Sequence, residues 1–297
     1  MSMKDFLQQW QALPLASDLN FYAIVDSAQD ARLLPALRAM APGMQSQCLL
    51  ADVNSPELSK AAPHLVALPP FAEDSDAWLS VFRSAASNPA SISIIASHWE
   101  FTVLFANLAA FTEIVLPDGD EMHFAFWDPA ILGTLVGQKG DNTLHVPGPV
   151  LSAQQRSRLL AGISAWWYWD RNGQQHQIGD EAPQADIDQV VLPLKLTSVQ
   201  VDMLVEASVP DHLLGHIKET HPHLLFDLSE AEQYPRIEQH LLEARKLNLR
   251  GMQDIINYIC AGLIYGSQMQ RDSVMTELLD NVKAGQISLS EALEKFP

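Results

Sequence analysis

The stretch from Ser91 to Pro129, SISIIASHWEFTVLFANLAAFTEIVLPDGDEMHFAFWDP, restricts the fold more than any other part of the chain. Its hydrophobic period switches from that of a strand to that of a helix and back. Ser91–Ala96 is short, apolar and rich in Ile, the composition of a buried strand. Ser97 stands three residues before Glu100, a capping-box spacing in which each side chain satisfies an orphan N–H of the first helical turn. Phe101, Leu104, Phe105, Leu108 and Phe111 recur at helical spacing and predict a core-facing stripe. Thr112–Leu116 is β-branched and apolar. Pro117-Asp118-Gly119 reverses the chain, Pro setting φ and Gly taking the positive φ. In the return strand Met122, Phe124 and Phe126 fall on one face, and His123, Ala125 and Trp127 on the other. Asp128 is a good N-cap and Pro129 is tolerated at the first helical position, so a helix over Ile131–Val136 follows.

The same alternation holds upstream. Phe6–Leu13 predicts a short helix and Phe21–Val25 a strand. Ser27 with Asp30 caps a helix carrying Leu33, Leu34, Leu37 and Met40, bent near Pro35. Gln47–Ala51 and His64–Leu68 read as strands, Pro56–Ala61 as a short helix, and Asp76–Ser87 as a helix with Trp78, Leu79 and Phe82 inward. Beyond a Gly/Pro-rich loop, Ala153–Ile163 is helical. Asp26, at the end of the first strand, is a helix cap or a functional carboxylate.

Trp166-Trp167-Tyr168-Trp169 then leads through Asp170-Arg171-Asn172-Gly173 into Gln174–Ile178, and Asn-Gly between strand-like runs is a hairpin signal. Trp166 and Tyr168 share one face, Trp167 and Trp169 the other. Two readings stand side by side: a lobe-packing core, or an aromatic contact patch with one pair at the surface, to which Trp127 and His123 belong as further contact candidates. Gly179–Gln189 is acidic, contains Pro and lacks an apolar period, so it reads as a linker. After it the pattern is helical: roughly Ser198–Ala207, Pro210–Thr220, Ser229–Leu247 (Pro235 breaking it early), Gly251–Tyr265, Arg271–Lys283 and Ser288–Lys295. The expected fold class is α/β, with an N-terminal α/β lobe (1–178) holding a mixed sheet and a C-terminal all-helical lobe (190–297).

Of the 297 residues, 36 are acidic and 18 basic, a net charge of −18, and the last 119 residues carry 19 acidic and 9 basic of these. A nucleic-acid partner needs a basic surface, and an anionic membrane would repel this chain. Neither partner is expected. Two distant cysteines, Cys48 and Cys260, give no disulfide framework. The start of the chain lacks a signal peptide's apolar core and no apolar run is long enough to span a bilayer, so a cytoplasmic location is expected. No phosphate-binding glycine motif follows a strand, and no cofactor is expected. His212, His216, His221 and His223 cluster beside Asp211 and Glu219, but H-x-x-x-H without the adjacent Glu is not a zinc-protease motif. A hydrolase or metal-dependent enzyme built on His212–His223 is the alternative reading, as is a serine triad using Ser97 and Asp128; the expectation is no enzyme, no catalytic residue and no metal.

Ser97, Trp99, Leu116-Pro117-Asp118-Gly119 and Phe126-Trp127-Asp128-Pro129 together resemble the core of the bacterial type VI secretion effector adaptors, the Tap/TEC chaperones. Tyr22-Ala23-Ile24-Val25-Asp26 is similar to that family's opening strand and Ala62-Pro63-His64-Leu65-Val66 to its AP-x-LV segment. The resemblance runs from about Tyr22 to Pro149. It implies a non-enzymatic adaptor whose partners are an effector toxin and the VgrG spike protein. Where the family carries arginines, this chain has Asn107-Leu108-Ala109-Ala110, Phe124-Ala125-Phe126 and Ala130. An effector docked in a groove between the lobes, touching the Trp166–Trp169 strand, is the expectation for the contact.

Overall fold

The computed structural model describes residues 3–13, 18–50, 60–72, 75–179, 190–266 and 268–295. They divide into two compact units, Met1–Ala207 and Ser208–Pro297. The predicted helix Pro56–Ala61 and the predicted linker lie, but for their edges, outside the described residues.

The first unit is built on a six-stranded sheet of order β2-β3-β1-β4-β7-β8. Its strands are β1 (Asn20–Asp26), β2 (Ser46–Cys48), β3 (Pro63–Ala67), β4 (Ile92–Ser97), β7 (Ile163–Trp169) and β8 (Gln175–Gly179). Every pair in it is antiparallel. The mixed character expected from the sequence belongs to a separate three-stranded sheet, where β5 (Glu113–Val115) pairs antiparallel with β6 (Glu121–His123) and parallel with β9 (Leu194–Lys195).

Side-chain alternation on the central strands divides the core into two layers. Tyr22, Ile24, Leu65, Ile95, Trp166 and Tyr168 join one cluster, covered by helices α4 (Phe101–Ala109), α5 (Pro129–Val136) and α6 (Ala153–Leu159). Phe21, Ala23, Val25, Ile94, Ala96, Trp167 and Trp169 join the other, under α1 (Met3–Gln11), α2 (Leu33–Met40) and α3 (Asp76–Ser87). Both faces of the sheet are thus covered, which is why β4 is buried at every position. In α3 the inward residues are Trp78, Val81 and Ala85, whereas Leu79 is exposed. In α2, Pro35 sits in the first turn, where no N–H is needed, and it begins the helix rather than bending it. The expected Ser27 cap is not formed, and Arg32 occupies the N-cap position.

The second unit is helical. The long helix α7 (Ser198–Thr220) contains the point of division and keeps Pro210 inside it, where the sequence suggested two helices. A missing N–H costs one ladder bond and does not by itself end a helix. Pro235 is likewise accommodated inside α8 (Glu230–Lys246). Capping boxes start α8, where the Ser229 N–H donates to Glu232 Oε2 at 2.9 Å, and α12 (Leu289–Lys295), where the Ser288 N–H donates to Glu291 Oε2 at 2.7 Å. Between them lie α9 (Met252–Tyr265), α10 (Gln268–Arg271) and α11 (Ser273–Lys283). Ile237, Leu241, Ile255, Ile259, Met275 and Leu289 meet in its core. Among the described residues no helix is long and apolar enough to cross a membrane.

Candidate functional site

The residues of the organising stretch hold one another. Ser97 does not cap α4. Its hydroxyl donates to the Gly162 carbonyl at 2.6 Å and accepts the Trp99 N–H at 3.0 Å, so its proton is engaged with a backbone oxygen. The N-cap of α4 is Glu100, without a side-chain bond. Trp99 lies flat on Gly162, where a Cβ would stand 2.3 Å from the indole. At the turn, Gly119 takes φ 95 and donates its N–H to the Leu116 carbonyl at 3.0 Å, with Pro117 and Asp118 exposed around it. Extended structure ends at His123, which is exposed, and the chain coils so that Phe124, Phe126 and Trp127 are all buried. The predicted alternation therefore stops there. The Trp127 indole N–H donates to Asp26 Oδ2 at 3.1 Å, and Asp26 Oδ1 accepts the Ala28 N–H at 2.9 Å. Asp26 thus ties the first strand to the aromatic segment before α5. Asp128 Oδ1 accepts the Ala130 N–H at 2.9 Å, with Pro129 as the first residue of α5.

The Trp166–Trp169 run is core on both faces. Trp166, Trp167 and Tyr168 are fully buried and Trp169 is 4% exposed. Of the two readings, the one with a pair at the surface is not met, because β7 is not an edge strand: it lies between β4 and β8 and has helices on each side. The polar handles of Trp166, Trp167 and Tyr168 have internal partners. Trp166 Nε1 donates to Ser93 Oγ at 2.9 Å, Trp167 Nε1 to Gln9 Oε1 at 3.0 Å, and the Tyr168 hydroxyl to Asp141 Oδ2 at 2.9 Å. Burying each ring contributes up to about 4–6 kcal/mol of apolar transfer.

A concavity of the first unit lies elsewhere, at the open end of β1 and β3, with a volume near 630 Å³. Its aromatic wall is Trp10, Phe71 and Phe101. Trp10 sits edge-on to Phe21 at 5.3 Å between centroids, and Phe71 edge-on to Trp78 at 4.9 Å. The Trp78 indole N–H holds the Pro69 carbonyl at 3.1 Å and so fixes the Pro69-Pro70-Phe71 lip. The Tyr22 hydroxyl is tied to the Trp99 carbonyl at 2.7 Å, and burial, with the Glu100 carboxylate adding to it, pushes its pKa up to about 12. Among the described residues Glu100 is the one charged residue of the lining, and it is exposed. The groove offers aromatic faces, proline and a carboxylate; it brings together no nucleophile and base. Sequence reasoning missed it because its wall comes from four separate elements, although Pro69-Pro70-Phe71 was a visible turn signal after a strand.

His212 and His216 lie on α7, and His221 and His223 lie beyond its end with ring centroids 6.1 Å apart. His212 is exposed, His216 half-buried, and His221 and His223 are exposed beyond the helix end. Among the described residues the group able to hold a metal is Asp141, Asp170 and His176, all buried, with ligand atoms within 4.8 Å of one another. Burial and the neighbouring Asp141 carboxylate, which accepts its proton, push the pKa of Tyr168 far up. In α4, Asn107 stands where an arginine is expected from the resemblance. Arg158 of α6 reaches its side-chain oxygen and lies 5.9 Å over the Phe111 ring.

One protein-family model, the domain of unknown function DUF4123, matches residues 21–145. No curated protein and no solved structure matches the chain significantly. Of the groove residues, all but Trp10, Leu19 and Asn20 lie within the matched segment.

Proposed function

We propose that this chain is a non-enzymatic adaptor of bacterial type VI secretion, which binds a toxic effector in the cytoplasm of the producing cell and loads it onto the VgrG spike. The observation that carries the reading is the family match over residues 21–145, since that family is associated with type VI effector adaptors. The groove of Trp10, Phe71, Phe101 and Glu100 is the surface assigned to a protein segment. The half-buried Trp10 and Phe71 supply contact area at little entropic cost, and the Glu100 carboxylate favours a segment with a basic side chain. The hydrolase reading is not favoured by Ser97, which is engaged with Gly162, nor the metalloenzyme reading by His212–His223, which are outside the group of described residues able to hold a metal.

The test is co-purification of the full chain with the effector and spike proteins encoded beside it. Glu100→Lys and Thr102→Arg alter exposed lining residues. They are expected to lower stability by no more than about 0.3–1 kcal/mol, the cost of a positive charge at the start of α4, and to reduce capture of the effector at least ten-fold. Wild-type protein that captures neither partner overturns the adaptor reading. Undiminished capture by both variants refutes the groove assignment alone.

A further inference from the structure

Asp141, Asp170 and His176 come from three places in the chain and meet beneath the hairpin of β7 and β8. Asp170 closes the turn: its Oδ1 accepts the N–H groups of Asn172 and Gln174, both at 2.9 Å. Its other oxygen is thereby turned toward His176 on β8, whose Nε2 lies 2.9 Å away. His176 pairs across the strands with Tyr168, the two rings 5.3 Å apart. Tyr168 holds Asp141 through its hydroxyl, and the Thr143 N–H and hydroxyl hold Asp141 Oδ1 at 2.9 and 2.7 Å. Asp141 belongs to the loop after α5, so the cluster joins that loop to the hairpin.

The charge of this cluster is unbalanced. Asp141 is 6% exposed, Asp170 4% and His176 5%. The ionic partner of Asp170 within the cluster is His176, at 2.9 Å. Two carboxylates facing one imidazole leave net negative charge in a buried place even if the imidazole is protonated, and uncompensated buried charge is expensive. One divalent cation would offset it. The donor atoms are also placed for one. Four-coordinate zinc with nitrogen and oxygen ligands at about 2.0–2.2 Å needs neighbouring donors roughly 3.4 Å apart, and these lie between 2.9 Å and 4.8 Å. Hydrogen bonds from Tyr168, Thr143, Asn172 and Gln174 aim both carboxylates, as outer partners do in metal sites.

We propose that Asp141, Asp170 and His176 form a buried site for a single first-row divalent cation of the zinc class, which clamps the loop after α5 to the β7–β8 hairpin. One imidazole and two carboxylates suit Zn²⁺ among the common metals, and the clamp is structural: binding adds to folding stability by mass action.

The experiment uses the full chain stripped with chelator. Zn²⁺ is titrated by calorimetry and its effect read by thermal melting, and Co²⁺ is added as a spectroscopic probe of nitrogen and oxygen coordination. Wild type is expected to bind one equivalent and melt higher. Asp141→Asn and His176→Gln are each expected to weaken binding by about ten-fold or more. A His212→Gln/His216→Gln control should bind as wild type does. Binding that survives both site variants, or that disappears in the control, overturns the assignment. Should His176→Gln fail to fold, Asp141→Asn, which keeps an acceptor for Thr143, decides. Wild-type protein that takes up neither Zn²⁺ nor Co²⁺ overturns the proposal irrespective of any variant.

Discussion

Gly162→Ala tests the contact that joins the turn after β4 to the entrance of β7. Gly162 has φ +73, and a Cβ built there meets three indole carbons of Trp99 at 2.3, 2.4 and 2.7 Å. Two costs follow. The left-handed backbone costs an L-residue about 1–2 kcal/mol. The indole must also retreat by about 1 Å, and overpacking of that size costs about 1–3 kcal/mol. Trp99 is half-buried, so its ring can swing outward, which places the total at about 2–5 kcal/mol rather than above it. Urea unfolding read by tryptophan fluorescence and circular dichroism measures this, provided the two probes coincide. The decisive form is a double-mutant cycle. In a Trp99→Ala background the indole is gone, so Gly162→Ala should retain only the backbone cost of about 1–2 kcal/mol. A coupling of at least ~1 kcal/mol is therefore expected, well outside ordinary additivity error. If Gly162→Ala costs the same in both backgrounds, the ring contact contributes nothing and the reasoning fails.

Three further outcomes follow from the same geometry. Asp128→Ala removes the cap on α5 and should cost about 1 kcal/mol; unchanged melting together with lost effector capture would make Asp128 a partner contact instead. Trp127→Phe keeps an aromatic ring, smaller than the indole, and removes the bond to Asp26, so a loss of about 1.5–3 kcal/mol is expected from the bond, and it should shrink in an Asp26→Ala background. In the second unit His240 is 4% exposed, its Nδ1 lies 3.3 Å from Glu243 Oε2, and Gly262 leaves room for its ring. Burial lowers its pKa below the ordinary 6.5 despite the opposing pull of Glu243, with Arg236 adding to the lowering. Tyr258, pushed up to about 12 by burial and Glu243, stays a neutral neighbour. The unfolded chain then binds the extra proton, so this contribution is complete above pH 6.5 and is lost as pH falls from there toward the lowered folded value. Melting between pH 7 and 5 should fall more steeply for wild type than for His240→Gln; equal slopes would remove His240 from the account.

What the sequence determined by itself is what neighbouring residues decide among themselves. The Pro117-Asp118-Gly119 turn, the Asp128-Pro129 helix start and the change from strand-helix alternation to helices alone all follow from φ preferences, orphan N–H groups and hydrophobic period. Each of these acts within a few residues. The faces of the aromatic run were also legible, with Trp166 and Tyr168 opposed to Trp167 and Trp169, because a strand has period two. Whether either face reached solvent was not, since that depends on β7 lying between β4 and β8. The partner of Ser97 is Gly162, that of Asp26 is Trp127, and Asp141 meets His176 across the Tyr168 strand. None of these pairings leaves a trace in a local window. They are fixed by burial and by the need of each buried polar group for a partner, conditions met only once the sheet has brought distant segments together.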